Sequence, residues 1–71
     1  MTREILEKIE GTPYKRTLEY KKSERKRLEE SHCEHSAISV RASTAGYLQA
    51  LCEAGIITEK ERQTLFIYYA T

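Results

Sequence analysis

Residues 43–71 read STAGYLQALCEAGIITEKERQTLFIYYAT, and this stretch carries the start and stop signals of two helices joined by a tight turn. Gly55 stands where a left-handed residue closes a helix, because glycine adopts positive φ without a steric penalty. Thr58 and Glu61 match the capping box, in which each side chain accepts a hydrogen bond from the other residue's backbone N–H. The sequence therefore predicts a C-terminal helical hairpin, with one helix from about 44 to 54 and another after Thr58.

Both helices of this hairpin are unusually apolar. The first has apolar residues over most of its circumference, and the second ends in Leu65-Phe66-Ile67-Tyr68-Tyr69-Ala70. A helix that is apolar all round must be enclosed by other surfaces. A chain this short buries only about 60% of the surface that its unfolded form exposes. We therefore expect a second copy or another protein to cover part of the hairpin.

The charged N-terminal half predicts two further helices. Thr2 is suited to cap a short first helix that Gly11 terminates. Thr12-Pro13 suits the start of a longer helix, because proline at the first helical position loses no hydrogen bond that the helix would use. We place this second helix from Pro13 to about Glu30. Its apolar content is thin, so it cannot be deeply buried along its whole length.

The segment between the second helix and the hairpin has no helical pattern of its own. Residues 31–36 are polar, and their hydroxyl side chains compete for backbone hydrogen bonds, as is typical of a linker. Residues 37–42 alternate apolar and polar side chains, which by period suits a strand, but no second strand pattern is present to pair with it. We predict extended chain or a lead-in here, with Ser43 or Thr44 as the cap of the next helix.

The predicted fold is all-α, with a short N-terminal helix, a long charged helix, a polar linker and a C-terminal helical hairpin. Residues 1–71 form one small domain, with the charged helices and linker in residues 1–35 and the apolar hairpin in residues 36–71. We expect the hairpin to self-associate into a homo-oligomeric bundle. A homodimer is the default, because two-fold dimers are the commonest oligomers.

Positive charge is concentrated in one segment although the net charge of the chain is only +1. Residues 11–27 contain seven basic and two acidic residues. Lys and Arg neutralise phosphates, so the candidate contacts to phosphate or nucleic acid are Lys21, Lys22, Arg25, Lys26 and Arg27. On a helical projection, however, the basic side chains point to several sides and acidic side chains lie among them. This dispersal favours a solvated helix over a groove-binding one.

The histidines and cysteines form no strong site pattern. His32, Cys33 and His35 carry zinc-type ligand atoms, but structural zinc sites need a second ligand pair, and Cys52 stands alone in an apolar helix. No glycine-rich phosphate loop or catalytic constellation is present. We expect no enzyme activity, no cofactor and no bound metal. A zinc-dependent fold using His32, Cys33 and His35 is the weaker alternative.

Composition favours a soluble, cytoplasmic protein. Two cysteines are too few for a disulfide scaffold, and the start of the chain is charged rather than typical of a secretory signal. No run approaches the ~18 apolar residues of a membrane helix. We therefore expect no membrane partner.

The aromatic hairpin suits a protein interface, because tyrosine buries a large ring while its hydroxyl stays hydrated. The predicted interface residues are Tyr47, Leu48, Leu51, Leu65, Phe66, Tyr68 and Tyr69. The favoured function is a small non-enzymatic regulator or inhibitor that binds another protein, with the basic helix guiding association. The size of the chain and the absence of catalytic residues suit an accessory protein of a phage or mobile element. The alternative is a binder of nucleic acid, nucleotide or another phosphorylated ligand through residues 15–27.

Overall fold

The computed structural model describes the backbone of residues 2–70 and the side chains of residues 3–70. It contains four helices, α1 (Thr2–Lys8), α2 (Pro13–Glu30), α3 (Glu34–Glu53) and α4 (Glu59–Ala70). No strand occurs in the described backbone, which confirms the all-α prediction. The capping role predicted for the Thr2 side chain lies outside the described residues.

Helices α2 and α3 form the largest contact of the fold. A three-residue turn joins them, and α3 runs back along α2, so that Lys21 in mid-α2 donates to the Ser43 hydroxyl at 2.6 Å. Helix α4 packs against α3 and also touches α1 and α2. The molecule measures 34 × 20 × 20 Å, and its long dimension is close to the ~30 Å length of a 20-residue helix.

The start of α2 agrees with the prediction. Gly11 has φ +76° and turns the chain after α1. The Thr12 hydroxyl accepts a hydrogen bond from the Lys15 N–H at 3.4 Å and donates to the Ile9 carbonyl at 2.5 Å. Pro13 is the first helical residue. Thr12 therefore caps α2 and also fastens it to the buried Ile9.

The predicted polar linker over residues 31–36 is wrong, because only three residues separate α2 from α3. The Cys33 N–H donates to the Leu28 carbonyl at 2.8 Å, and the His32 N–H donates to the Glu29 carbonyl at 3.1 Å. This pair of bonds is a Schellman motif, with His32 at φ 61° in the position that usually holds glycine. The predicted end of the second helix near Glu30 is confirmed, but α3 begins almost immediately afterwards, at Glu34.

The extended segment predicted over residues 37–42 and the cap predicted at Ser43 or Thr44 are also wrong. Helix α3 runs through both regions without interruption. Thr44 is buried, and its hydroxyl donates to the Val40 carbonyl at 3.0 Å within the same helix. That internal bond satisfies the hydroxyl, so Thr44 can occupy the core-facing stripe of a helix instead of its start. The buried residues of this stripe are Ala37, Thr44, Leu48 and Leu51.

The turn between α3 and α4 confirms the strongest local prediction. Gly55 has φ +76°, and the Ile56 N–H donates to the Leu51 carbonyl at 2.9 Å. The Thr58 N–H donates to Glu61 Oε1 at 2.8 Å, and the Glu61 N–H donates to Thr58 Oγ1 at 3.1 Å. These bonds close α3 and open α4 as expected from the sequence.

Glu61 also ties this turn to the first helix. Lys8 Nζ donates to Glu61 Oε1 at 2.8 Å. The hydrogen bond from Lys8, followed by the one from the Thr58 N–H, lowers the pKa of the Glu61 carboxyl below its usual 4.5. The carboxylate that caps α4 thus also holds α1 against it.

One core serves all four helices and their turns. Its buried apolar side chains are Ile9, Leu18, Leu48, Leu51, Ile57, Leu65 and Tyr69. Half-buried residues surround it, including Tyr14, Tyr47 and Phe66. Two of these core residues, Ile9 and Ile57, lie in the turns, so the turns are held by apolar packing as well as by their hydrogen bonds.

Replacing Thr58 with alanine should lower the free energy of unfolding by about 1 kcal/mol, because the first turn of α4 loses its side-chain acceptor. Urea denaturation followed by circular dichroism measures this loss as a lower midpoint with an unchanged slope.

Thr64→Ala is the matched control. The Thr64 hydroxyl bonds only the Lys60 carbonyl one turn earlier in α4, so its removal should leave stability unchanged or slightly higher. Equal losses in the two variants would contradict the capping role of Thr58.

Candidate protein-interaction surface

Helix α4 is enclosed on one side only. Leu65, Tyr69 and Ala70 are buried, whereas Ile67 is 65% exposed and Tyr68 is 38% exposed. Phe66 is half-buried against the core. The apolar end of the chain is therefore shared between the core of one molecule and its surface.

Four of the seven predicted interface residues lie in the core of a single chain. They are Leu48, Leu51, Leu65 and Tyr69. They pack together with Leu18 of α2 and with Ile9 and Ile57 of the turns, so the other elements of the same chain cover them. Contact with a partner by these four side chains would require the fold to open. Tyr47, Phe66 and Tyr68 remain at the surface.

Each of these three surface aromatics has a cation beside its ring. Lys22 Nζ lies 4.3 Å from the centroid of Tyr68. Lys21 Nζ lies 5.7 Å from the centroid of Tyr47, and Arg41 Cζ lies 5.9 Å from that of Phe66. All three are within the range of cation–π attraction, and the Lys22–Tyr68 pair is the closest.

Tyr68 is held in a fixed position at the edge of the core. Its ring packs edge-on against the buried ring of Tyr69, with centroids 4.8 Å apart and an interplanar angle of 89°. Lys22 approaches it from α2, and Lys26 lies one helical turn further along the same side of α2. We call Tyr68, Lys22 and Lys26 the Tyr68 surface.

Tyr69, on which the Tyr68 ring packs, is itself bonded to α2. Its hydroxyl donates to Glu19 Oε1 at 3.1 Å, and its backbone carbonyl accepts from Arg25 Nη2 at 3.4 Å. Burial, and then the neighbouring Glu19 carboxylate, raise the pKa of the Tyr69 hydroxyl well above its usual 10.0. Arg25 also places positive charge at the C-terminal end of α4, where the helix dipole favours a cation.

Three of the five predicted phosphate contacts are engaged within the fold. Lys21 donates to Ser43 Oγ, and Arg25 pairs with Glu29 at 2.8 Å. Arg27 pairs with the carboxylate of Glu24, one turn earlier in α2, at 2.5 Å.

Lys22 and Lys26 have no carboxylate partner among the residues that the structure describes. Lys22 instead faces the Tyr68 ring, and Lys26 is exposed to solvent. The structure therefore leaves two of the five predicted cations available for a ligand, and both belong to the Tyr68 surface.

Three exposed apolar residues are absent from the predicted interface, namely Ile67 of α4, Tyr20 and Ile38. Tyr20 is 68% exposed on the outer side of α2, and Ile38 is 63% exposed near the start of α3. Ile38 would have been found if residues 37–42 had been projected on a helix, where Ile38 falls beside the buried stripe instead of within it. No such signal marks Tyr20, because tyrosine is common both in cores and on surfaces.

The histidines and cysteines lie apart from this surface. His32 occupies the left-handed position of the α2–α3 turn, Cys33 precedes α3, and His35 is exposed in its first turn. Within residues 2–70, no group of three or more His, Cys, Asp or Glu residues is arranged to hold a metal ion. Cys52 donates to Glu59 Oε2 at 3.5 Å, and burial raises the pKa of its thiol.

The surface depressions are shallow and of mixed charge. One of about 520 Å³ lies where α1 turns into α2 and is lined by Glu10, Gly11, Thr12, Lys15, Arg16 and Glu19. Lys15 pairs with Glu10 across it. The second lining acid, Glu19, accepts from the Tyr69 hydroxyl, so both carboxylates are already bonded within the fold. The depression is also open to solvent, unlike the enclosed pockets that hold small substrates.

Comparison with known protein families, curated proteins and solved structures gave no match to this chain. Within the described residues, no helix has the length and apolar character needed to cross a membrane. The assignment of a function therefore depends on the geometry of the chain itself.

Tyr69→Phe should lower the free energy of unfolding by about 1 kcal/mol at pH 7, because the hydrogen bond to the exposed Glu19 carboxylate is lost while the ring is kept. A raised pKa in the folded state stabilises the fold below pH 10.0, and this stability is lost as the pH rises above that value. The difference between the wild type and Tyr69→Phe should therefore shrink on going to about pH 11.

Denaturant unfolding of both proteins at the two pH values measures this difference, and effects common to both proteins cancel. Tyr20→Phe, the same change on the exposed side of α2, should leave stability at pH 7 unaltered. A difference between wild type and Tyr69→Phe that stays constant or grows with pH would contradict the role given to this hydroxyl.

Proposed function

We propose that the chain is a small non-enzymatic interaction protein, a regulator or inhibitor, that binds another protein through the Tyr68 surface. The observation that supports this proposal is the partly exposed Tyr68 ring, which packs against Tyr69 and beside Lys22, with Lys26 one helical turn further along α2. Neither lysine has a carboxylate partner among the described residues. Rigid tyrosines of this kind anchor protein interfaces, because they bury a large area at low cost in conformational entropy.

The Tyr68 side chain is preorganised for binding in the free chain. Its ring already lies against Tyr69 and Lys22, so little rotamer freedom remains to be lost on binding. An exposed tyrosine without such neighbours, such as Tyr20 on the outer side of α2, would have to be ordered by the partner itself. Tyr68 is therefore the better anchor, although Tyr20 is more exposed.

The chemistry of the Tyr68 surface specifies the kind of partner. An apolar side chain would pack on the Tyr68 ring, and one or two carboxylates would meet Lys22 and Lys26. The approach of an acidic partner would also be accelerated by the positive charge of α2. The preferred partner is therefore a protein with an exposed apolar residue bordered by Asp or Glu.

Tyr68→Ala should weaken binding to such a partner by at least about tenfold, which corresponds to ~1.4 kcal/mol, because it removes the central aromatic contact. Partners are first captured from a host extract on the immobilised chain, and the affinity of each is then measured with purified protein by biolayer interferometry.

Tyr20→Ala is the matched control, since it truncates the same residue type on the outer face of α2. It should retain the wild-type affinity, and circular dichroism should show the same helix content in both variants. Equal affinities for the wild type and Tyr68→Ala, or a loss confined to Tyr20→Ala, would rule out the Tyr68 surface as the binding site.

Binding of single-stranded nucleic acid is the second candidate, because aromatic rings beside lysines are also the elements of a stacking platform. Three acidic side chains of α2, Glu19, Glu29 and Glu30, are set against it, since they lie on the same side of the helix as Lys22 and Lys26 and would face a phosphate backbone bound there. The same objection applies to nucleotides and other phosphorylated ligands.

We expect no saturable binding of a labelled single-stranded DNA or RNA by fluorescence anisotropy at low salt. If the second candidate is correct, binding appears, and the logarithm of its affinity falls with that of salt concentration by about 0.7 per phosphate contacted. Lys22→Gln combined with Lys26→Gln would then reduce this slope by about 1.4, whereas Lys60→Gln on α4 would not change it.

A further inference from the structure

An exposed stripe on α3 has a pattern that the proposed function does not use. Glu34, Ile38 and Arg41 follow the spacing i, i+4, i+7, so they share one face of the helix. All three are exposed, and Ile38 is 63% exposed. Together with Glu29 and Ala37 they line a shallow depression of about 230 Å³. The stripe therefore has an acidic end, an apolar centre and a basic end.

We infer that a second copy of this chain docks on this stripe, antiparallel and about a two-fold axis near Ile38. A two-fold interface uses the same patch on both subunits, so the patch must be complementary to itself. At 1.5 Å rise per residue, Ile38 lies about 6 Å from Glu34 and about 4.5 Å from Arg41 along the helix axis. It is therefore near the midpoint of the two charges.

The antiparallel arrangement brings every part of the stripe against a suitable partner. Ile38 of one copy packs on Ile38 of the other. Arg41 of each copy meets Glu34 of its twin, which gives two ion pairs related by the axis. A parallel arrangement would instead set Glu34 against Glu34 and Arg41 against Arg41, and like charges opposed in this way are repelled.

The charges of the stripe are available for these pairs. Neither Glu34 nor Arg41 has an ion-pair partner within the part of the chain that the structure describes, and the Arg41 guanidinium lies only against the Phe66 ring at 5.9 Å. The other acid of the depression, Glu29, is already paired with Arg25. With a net charge of +1, two copies also experience little overall repulsion.

The chain has enough accessible surface to form such a dimer. A stable interface buries at least about 1,000 Å² in total, or about 500 Å² from each copy. That is roughly a tenth of the 4770 Å² of accessible surface of this chain. The Phe66 ring adds apolar surface from α4 beside Arg41, at the basic end of the stripe. The dimer surface lies on the Phe66 side of α4, and the Tyr68 surface lies beside α2.

Sedimentation equilibrium of the full chain, from about 10 µM to about 1 mM, tests the inference. The wild type should dimerise. Glu34→Arg alone and Arg41→Glu alone should each raise the dissociation constant at least tenfold, because each places two pairs of like charges across the axis. An equimolar mixture of the two variants should dimerise again, since in the mixed pair both cross-axis contacts join opposite charges.

Two controls separate the dimer from a general loss of structure. Ile38→Ser should also weaken the dimer, whereas Tyr20→Ser, at an equally exposed apolar position on α2, should not, with circular dichroism confirming that both fold. A wild type that stays monomeric at about 1 mM, or a mixture that dimerises no better than its components, would overturn the inference. Tyr68→Ala should dimerise like the wild type. The two tests are therefore independent: absence of the dimer would not contradict the proposed function, and absence of binding through the Tyr68 surface would not contradict the dimer.

Discussion

Tyr69 holds the last helix of this protein in place. Its ring fills the core, its hydroxyl reaches Glu19, and its carbonyl meets Arg25, so one residue joins α4 to α2 by packing and by two hydrogen bonds. The apolar contribution dominates, because burial of a large aromatic side chain is worth more than either polar contact between partly solvated groups. Without Tyr69, α4 would be attached mainly to α3, and its contact with α2 would be weakened.

The local signals of the chain predicted most of the fold. Thr12-Pro13 marked the start of α2, Gly55 marked the end of α3, and the Thr58–Glu61 capping box marked the start of α4. These signals were reliable because each depends on backbone chemistry within four or five residues. The α2–α3 turn left no such mark, since its left-handed position is held by His32, and only the packing of two long helices makes that conformation acceptable.

The division of the aromatic residues between core and surface could not be derived from the sequence. Tyr68 and Tyr69 are adjacent residues of the same type, yet Tyr69 is buried and Tyr68 lies at the surface. Which of them points inward depends on where α2 lies relative to α4, because the buried Tyr69 is the one that bonds Glu19 and Arg25 of α2. The basic residues are predictable only in part. The Arg25–Glu29 and Arg27–Glu24 pairs lie within α2 at spacings that the sequence shows, whereas the contact of Lys22 with Tyr68 depends on how α4 packs.

The short length of α4 makes the Tyr68 surface depend on how the end of that helix is docked. A helix of 12 residues is barely stable by itself in water, so α4 keeps its shape only while its side chains are docked. Tyr68 stands at the far end of that helix, two residues before its last one. Release of the docked end would therefore disassemble the Tyr68 surface as a whole, and a protease that removes the final turn would take away Tyr69 together with Tyr68 and so detach α4 from α2.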